Sequence, residues 1–262
     1  MIEYFGYFAA FIIGLVLGLI GGGGSILTVP VLVYLLGINP VIATAYSLFI
    51  VGMTSAFGTI LNYKKGLVEI KTGLKFAIPS LAAIYLTRKF LVHLLPEKLL
   101  TVGEITITKE FFLMALFAIV MMLASFSMIY DKKVKKNPEA NPNIYITFFQ
   151  MFLVGIIIGL IGAGGGFLFI PALIYIAKLP IKKAVGTSIF IIAINSLVGF
   201  SGDICNINPD WYFLLIFTFI SILGIFVGIY VNKFINEKSL KKSFGWFVLF
   251  MSVFILVKEI LF

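Results

Sequence analysis

The chain is poor in the residues on which metal and redox chemistry depend, with one cysteine, Cys205, and one histidine, His93, in 262 residues. A lone cysteine cannot close an internal disulfide, and a lone histidine cannot by itself build a zinc site. Charge is also scarce, at 12% of residues against 61% hydrophobic. No Asp, Glu, Lys or Arg stands in the middle of an apolar stretch, which removes the usual proton relay and argues against a membrane-embedded hydrolase. No cofactor, metal or enzymatic activity is expected. The opening Met1-Ile2-Glu3-Tyr4 places no Lys or Arg before the first apolar run, so the N-terminus is expected to be retained rather than cleaved as a signal peptide.

What the chain has instead is apolar length. Apolar stretches run at 5–20, 26–37, 41–62, 74–92, 111–130, 144–161, 167–177, 183–203, 211–231 and 244–262, which predicts an all-α polytopic membrane protein. The net charge of +9 does not point to nucleic acid. Its lysines lie in short loops between apolar runs, where they read as topology signals facing anionic lipid.

The chain also repeats itself. Gly18-Leu19-Ile20-Gly21-Gly22-Gly23-Gly24-Ser25 with Pro30 returns as Gly159-Leu160-Ile161-Gly162-Ala163-Gly164-Gly165-Gly166 with Pro171, an offset of 141 residues. The register holds from Gly14/Gly155 through Tyr34/Tyr175 and Ser47/Ser188 to Gly58/Gly199, so an ancestral half, 1–137, has been duplicated as 138–262. In lipid, broken backbone survives only where it is buried in protein or lines a cavity, and paired breaks in two halves point to a transporter's binding site.

Length and charge predict the topology. A span needs about 20 residues, whereas 26–37 and 167–177 would reach only about 16–18 Å as helices. The loop Asp131 to Lys136 is the most basic in the chain, and the loop with Lys178, Lys182 and Lys183 is basic as well, so both are placed inside. The glycine-broken segment 144–177 between them must then enter and return on one side. Each half becomes a re-entrant hairpin (5–37 or 144–177) plus three spans (41–62, 74–92 and 111–130, or 183–203, 211–231 and 244–262). An odd number of crossings makes the halves inverted repeats. The loop 93–110 is placed outside although it carries Lys98 and Lys109, which Glu97, Glu104 and Glu110 accompany. If both glycine segments crossed once instead, the halves would be parallel four-span units. Trp211 and Tyr212 fit either an interfacial anchor or plain core aromatics.

Two constellations are candidates for binding. At the tips, Gly22, Gly23, Gly24 and Ser25, and Gly164, Gly165 and Gly166, precede short helices whose N-termini would meet near the midplane and could hold a small anion between them. No Lys follows the glycines, so this is not a Walker-type phosphate loop. On the following spans, Ser47, Thr54, Ser55 and Gly58 match Ser188, Asn195, Ser196 and Gly199 at helical spacing. Such a seam faces a bundle interior and can donate to an oxyanion. Tyr46, Ser47, Thr187, Ser188 and Asn195 are its candidate contacts. Tight helix packing is the alternative role for the glycine tips, and hydrogen bonding to neighbouring helices is the alternative for the seam. Asp203 reads as a solvated helix cap, His93 as a surface residue and Cys205 as an unpaired loop-edge residue.

At these motifs the chain resembles the sulfite exporter TauE/SafE family of membrane permeases. The resemblance covers nearly the whole chain and rests on the glycine segments with Pro30 and Pro171 and on Ala184-Val185-Gly186-Thr187-Ser188. The first half departs from the last pattern as Ala43-Thr44-Ala45-Tyr46-Ser47. The resemblance implies movement of sulfur-containing anions, such as sulfite or organosulfonates, across the cytoplasmic membrane. A secondary transporter working as an exporter is the expected function. A passive anion channel using the same glycine tips as its filter is the alternative.

Overall fold

The computed structural model describes residues 2–102, 105–129, 144–235 and 237–261, and the basic run Asp131 to Lys136 lies outside them. In the first half, α1 (Ile2–Ile20) meets a 3-10 turn at Gly22–Gly24, then α2 (Ser25–Pro30) and a π-helical turn at Val31–Leu35. Two long helices follow, α3 (Pro40–Lys64) and α4 (Ile70–Leu86). A second π-helical turn at Thr87–Leu91 carries α4 on into α5 (Val92–Leu94). Strands β1 (Lys98–Val102) and β2 (Ile105–Thr108) then pair antiparallel before α6 (Lys109–Ile129). The second half is α7 (Ile144–Ile161), α8 (Gly166–Tyr175), α9 (Ile181–Asp203), α10 (Trp211–Val231) and α11 (Glu237–Leu261).

The described residues are overwhelmingly helical, and five helices are long and apolar enough to cross a membrane: α3, α6, α9, α10 and Lys242–Leu261 of α11. The expected span 74–92 is the continuous run from α4 to α5. The β1–β2 ribbon amends the all-α expectation. Its sequences, rich in Thr, Ile and Val, favour extended pairing in a stretch read from sequence only as a loop.

The helix starts are locally encoded. Asn39 accepts a bond from the Val41 N–H ahead of α3, with Pro40 in the first helical position, and Asp210 accepts one from the Phe213 N–H ahead of α10. The π-helical turn after Pro30 follows a residue that has no N–H to give to the helical ladder.

Packing follows the repeat. Helix α1 lies along α10 and α7 along α4, while α3 packs on α9 and α6 on α11. Exchanging the halves, α1 for α7, α3 for α9 and α4 for α10 at the offset of 141 and α6 for α11 in chain order, maps this set onto itself. Gly14 and Gly18 of α1 sit against Ser221 and Ile225 of α10, and Gly155 and Gly159 of α7 against Ser80 and Ile84 of α4. Ser80/Ser221 and Ile84/Ile225 keep the offset of 141, so the repeat runs further along the chain than the glycine motifs. A Cβ at Gly14, Gly18 or Gly155 would strike the backbone of the facing helix, and one at Gly159 would strike the Thr87 side chain.

At one end of the bundle Lys183 pairs with Glu69, and Lys65 feels the charge of Lys233. Burial first, and then Lys233, pulls the Lys65 ammonium below its ordinary pKa. Elsewhere Asn39 bonds Glu110, and His93 lies near Asp203. Trp211 packs edge-on against Phe49 and Phe200, while Tyr212 is exposed. Trp211 is itself exposed on its other side, so neither aromatic is a plain core residue. Large apolar side chains such as Phe8, Phe148, Phe219 and Phe250 point away from the bundle, as contact with lipid requires.

Candidate functional site at the glycine turns

Both glycine segments are turns that fold the chain back on itself. Leu36, after the first turn, comes back against Gly6 near the start of α1, so that a Cβ on Gly6 would lie 2.7 Å from Leu36 Cδ2. In the second half, Met151 and Ile158 of α7 share an apolar cluster with Phe169 and Leu173 of α8. The second turn uses φ of +72°, +65° and +70° at Gly162, Gly164 and Gly165, a left-handed region that side-chain-bearing residues enter only at a cost.

The two tips meet. The backbone of Gly22 lies directly on that of Gly166, and a Cβ on either would fall inside the other residue's Cα. Gly24 rests on the backbone of Leu17, and Gly23 packs against Ile20 and Phe244. The Ser25 hydroxyl donates to Gly22 O at 2.7 Å, so it closes its own turn. Each tip also touches the long helix of the opposite half: Gly21 faces Val185 and Ser188 of α9, and Gly162 faces Thr44 of α3.

The seam predicted on the long helices is buried throughout. Ser47, Thr54 and Ser55 of α3 and Ser188, Asn195 and Ser196 of α9 are all shielded from solvent where those helices pack together. The Ser188 hydroxyl donates to Val185 O at 2.8 Å, and Asn195 Nδ2 donates to Ser80 Oγ at 2.7 Å. The oxygens Ser47 Oγ, Thr54 Oγ1, Ser55 Oγ, Ser196 Oγ and Asn195 Oδ1 have no partner among the described residues. Ser196 Oγ lies 2.9 Å from where a Cβ of Gly164 would be, so the seam reaches the second turn. A cluster of unpaired buried polar atoms calls for an explanation, since such groups are normally satisfied.

Tyr46 and Thr187 are tied to the framework. The Tyr46 hydroxyl accepts the Asp210 N–H at 2.7 Å, and the Thr187 hydroxyl accepts the Glu69 N–H at 3.0 Å. Tyr46 and Thr187 are counterparts at the offset of 141, and so are Glu69 and Asp210. The same latch is therefore built twice, each joining one half's long helix to the residue that precedes α4 or α10. The exchange of tyrosine for threonine changes the reach of the latch and keeps its acceptor oxygen. Tyr46→Phe and Thr187→Val should each lower stability by about 1–3 kcal/mol, because each leaves a part-buried N–H unbonded. Thermal unfolding in detergent reads this; a loss for only one of the two would show that the latches are not equivalent.

Two expectations need correction. Asp203 is not a solvated cap: it is buried at the end of α9, and Arg88, in the π-helical turn after α4, is completely buried beside it. Arg88 Nη1 donates to Asp203 Oδ2 at 3.1 Å and to Thr44 Oγ1 at 3.0 Å, while Nε and Nη2 have no partner among the described residues. Nη2 lies against Gly162, whose missing side chain leaves the guanidinium room to reach the second tip. The chain therefore does bury a charged pair within its helices. His93 is likewise more than a surface residue, since its Nδ1 contacts Arg88 O at 2.8 Å and its Nε2 lies 3.9 Å from Asp203 Oδ1. Cys205 is free and exposed, as expected.

One sequence signal could have revealed Arg88. It is the chain's single arginine, against nineteen lysines. Arginine differs from lysine in offering a planar fork of five donors, which suits buried recognition of oxygen anions.

These features define a multi-pass membrane protein whose halves are joined through touching glycine turns. The chain matches the family described as "Sulfite exporter TauE/SafE" over residues 7–256, and it belongs to that family of membrane transporters. It is 27% identical over 258 residues to a "Probable membrane transporter protein" of Xylella fastidiosa (strain 9a5c), covering 94% of this chain and 91% of the relative. It is also 27% identical over 264 residues to the "Probable membrane transporter protein YunE" of Bacillus subtilis (strain 168), covering 88% and 92%. Over a shorter stretch of 109 residues it is 38% identical to the "Probable membrane transporter protein MJ0441" of Methanocaldococcus jannaschii, covering 39% of this chain and 41% of that relative. No solved structure matches it.

Proposed function

We propose that the protein is a secondary transporter of the cytoplasmic membrane that exports small sulfur-containing anions, such as sulfite or organosulfonates. The observation that carries this reading is the set of buried oxygens on Ser47, Ser55, Asn195 and Ser196 that find no partner among the described residues, on two helices that both touch the glycine turns, with Ser196 Oγ beside Gly164. Hydroxyl and amide groups can turn donors toward an oxyanion that enters when the tips part, and the first turn of α8 adds N–H groups with no helical acceptor. Gly22 to Ser25 and Gly164 to Gly166 form the facing tips, Ser47, Ser188 and Asn195 line the path, and Tyr46 and Thr187 hold its walls in place.

In this proposal the halves are inverted repeats that rock against each other around the tips. Two features support the arrangement. The packing maps onto itself when the halves are exchanged, and the basic loops at 63–73 and 178–183 are joined through Glu69 and Lys183. Export is favoured energetically, because an anion leaving a negative-inside cell gains about 2.3 kcal/mol per charge per 100 mV.

The test is counterflow in liposomes. Protein-dependent, saturable exchange of radiolabelled sulfite against unlabelled sulfite is the expected result. Ohmic single-channel currents without counterflow would identify a channel instead, and absence of both for sulfite and organosulfonates would sink the substrate assignment.

A further inference from the structure

We propose that the free edge of Arg88 is the cationic half of the anion site, and that Asp203 is an internal stand-in that the incoming oxyanion displaces. This rests on the transporter reading and adds to it a charged contact on one side of the pathway.

The way the pair is built argues against a purely structural ion bridge. A guanidinium that only neutralises a carboxylate does so best through two parallel bonds. Arg88 instead gives both Asp203 and Thr44 the single nitrogen Nη1, leaving Nε and Nη2 buried without a partner among the described residues. The unpaired Nη2 lies at Gly162, where the second turn begins. A small tetrahedral or pyramidal oxyanion carries the acceptors that this edge lacks, and α8 begins a few residues further along the same turn, at Gly166. The ligand class is therefore a small oxyanion such as sulfite or sulfate.

Asp203 has somewhere to go when displaced. Its other oxygen, Oδ1, is 3.9 Å from His93 Nε2, and the Lys109 ammonium also acts on it. A carboxylate released from Arg88 would turn toward those two groups. The arrangement is also one-sided. At the offset of 141, the counterparts of Arg88, Thr44 and Asp203 are Ile229, Val185 and Asn62, so the first tip has no equivalent cation.

The test uses purified full-length protein in chloride-free gluconate buffer at constant ionic strength, with sulfate and sulfite as probes. Asp203→Asn leaves Arg88 as an unneutralised buried cation. Its melting temperature should fall without added oxyanion and recover with sulfate, and its sulfate Kd should be about tenfold lower than the parent's because the internal competitor is gone. The double variant Arg88→Gln/Asp203→Asn, which carries no buried charge, should remain folded, lose the sulfate-dependent rise in melting temperature and bind about a hundredfold more weakly. A double variant that is monodisperse and binds sulfate with the parent's Kd would overturn the assignment. So would an Asp203→Asn protein that sulfate does not stabilise. The two readings fail separately: intact sulfite counterflow by the double variant removes Arg88 from the site and leaves the transporter standing. Conversely, stabilisation of Asp203→Asn by sulfate in a protein whose parent moves no sulfur anion leaves Arg88 in place and removes the substrate.

Discussion

Gly22→Ala is expected to lower the melting temperature of the protein in detergent by roughly 5–10 °C, the effect of about 1–3 kcal/mol of overpacking in a chain of this size. The new methyl group would land on the Cα of Gly166, and backbone cannot rotate aside as a side chain can. Gly66→Ala is the control, because Gly66 has φ of +69° with nothing near a would-be Cβ. That change carries only the left-handed strain of roughly 1–2 kcal/mol per residue. Gly22 shows no such φ, so its loss would come from collision alone. The valine variants should be worse in each case. If Gly22→Ala melts with the parent while Gly66→Ala is destabilised, the tips are not in contact in the protein as isolated.

The second large effect is expected at the buried charges. Arg88→Met alone should destabilise by about 3–5 kcal/mol, because it leaves the Asp203 carboxylate in a low-dielectric interior without its countercharge. Adding Asp203→Leu should restore most of that loss, since apolar residues of similar volume commonly replace a buried pair at little cost. Unfolding followed by melting temperature on the parent, both single variants and the double variant gives the coupling between the two sites. Independent, additive losses would mean that each side chain is held by other neighbours and that the pair is incidental.

The legibility of the two regions differs for physical reasons. A duplicated motif is a one-dimensional signal, and glycines, small polar residues and helical spacing can be compared along the chain without knowing what they touch. Burial of Ser47, Ser55, Ser188, Asn195 and Ser196 follows in the same way, because a polar stripe on an apolar helix has one side to turn from lipid. Tyr46 and Thr187 stand out in the sequence for their place beside Ser47 and Ser188. Nothing in spacing reveals that the partner of each hydroxyl is a backbone N–H more than a hundred residues away. Arg88 and Asp203 were harder still. Each stands near the end of an apolar stretch, where a charge ordinarily reaches water, and their contact joins positions 115 residues apart.

The sequence by itself determined that the chain is a helical membrane protein made of two related halves, that each half breaks at glycine, and that a small polar seam follows each break. These properties depend on composition, periodicity and repetition, all of which are local or internal to the chain. Tertiary structure alone decided that the breaks touch at Gly22 and Gly166, that Tyr46 and Thr187 serve as latches, and that the single arginine is buried against Asp203 and the second turn. Those facts depend on which distant surfaces meet. A charged side chain at a helix end is solvated or buried according to its neighbours in space, and the duplicated pattern is silent about a pair that only one of its copies contains.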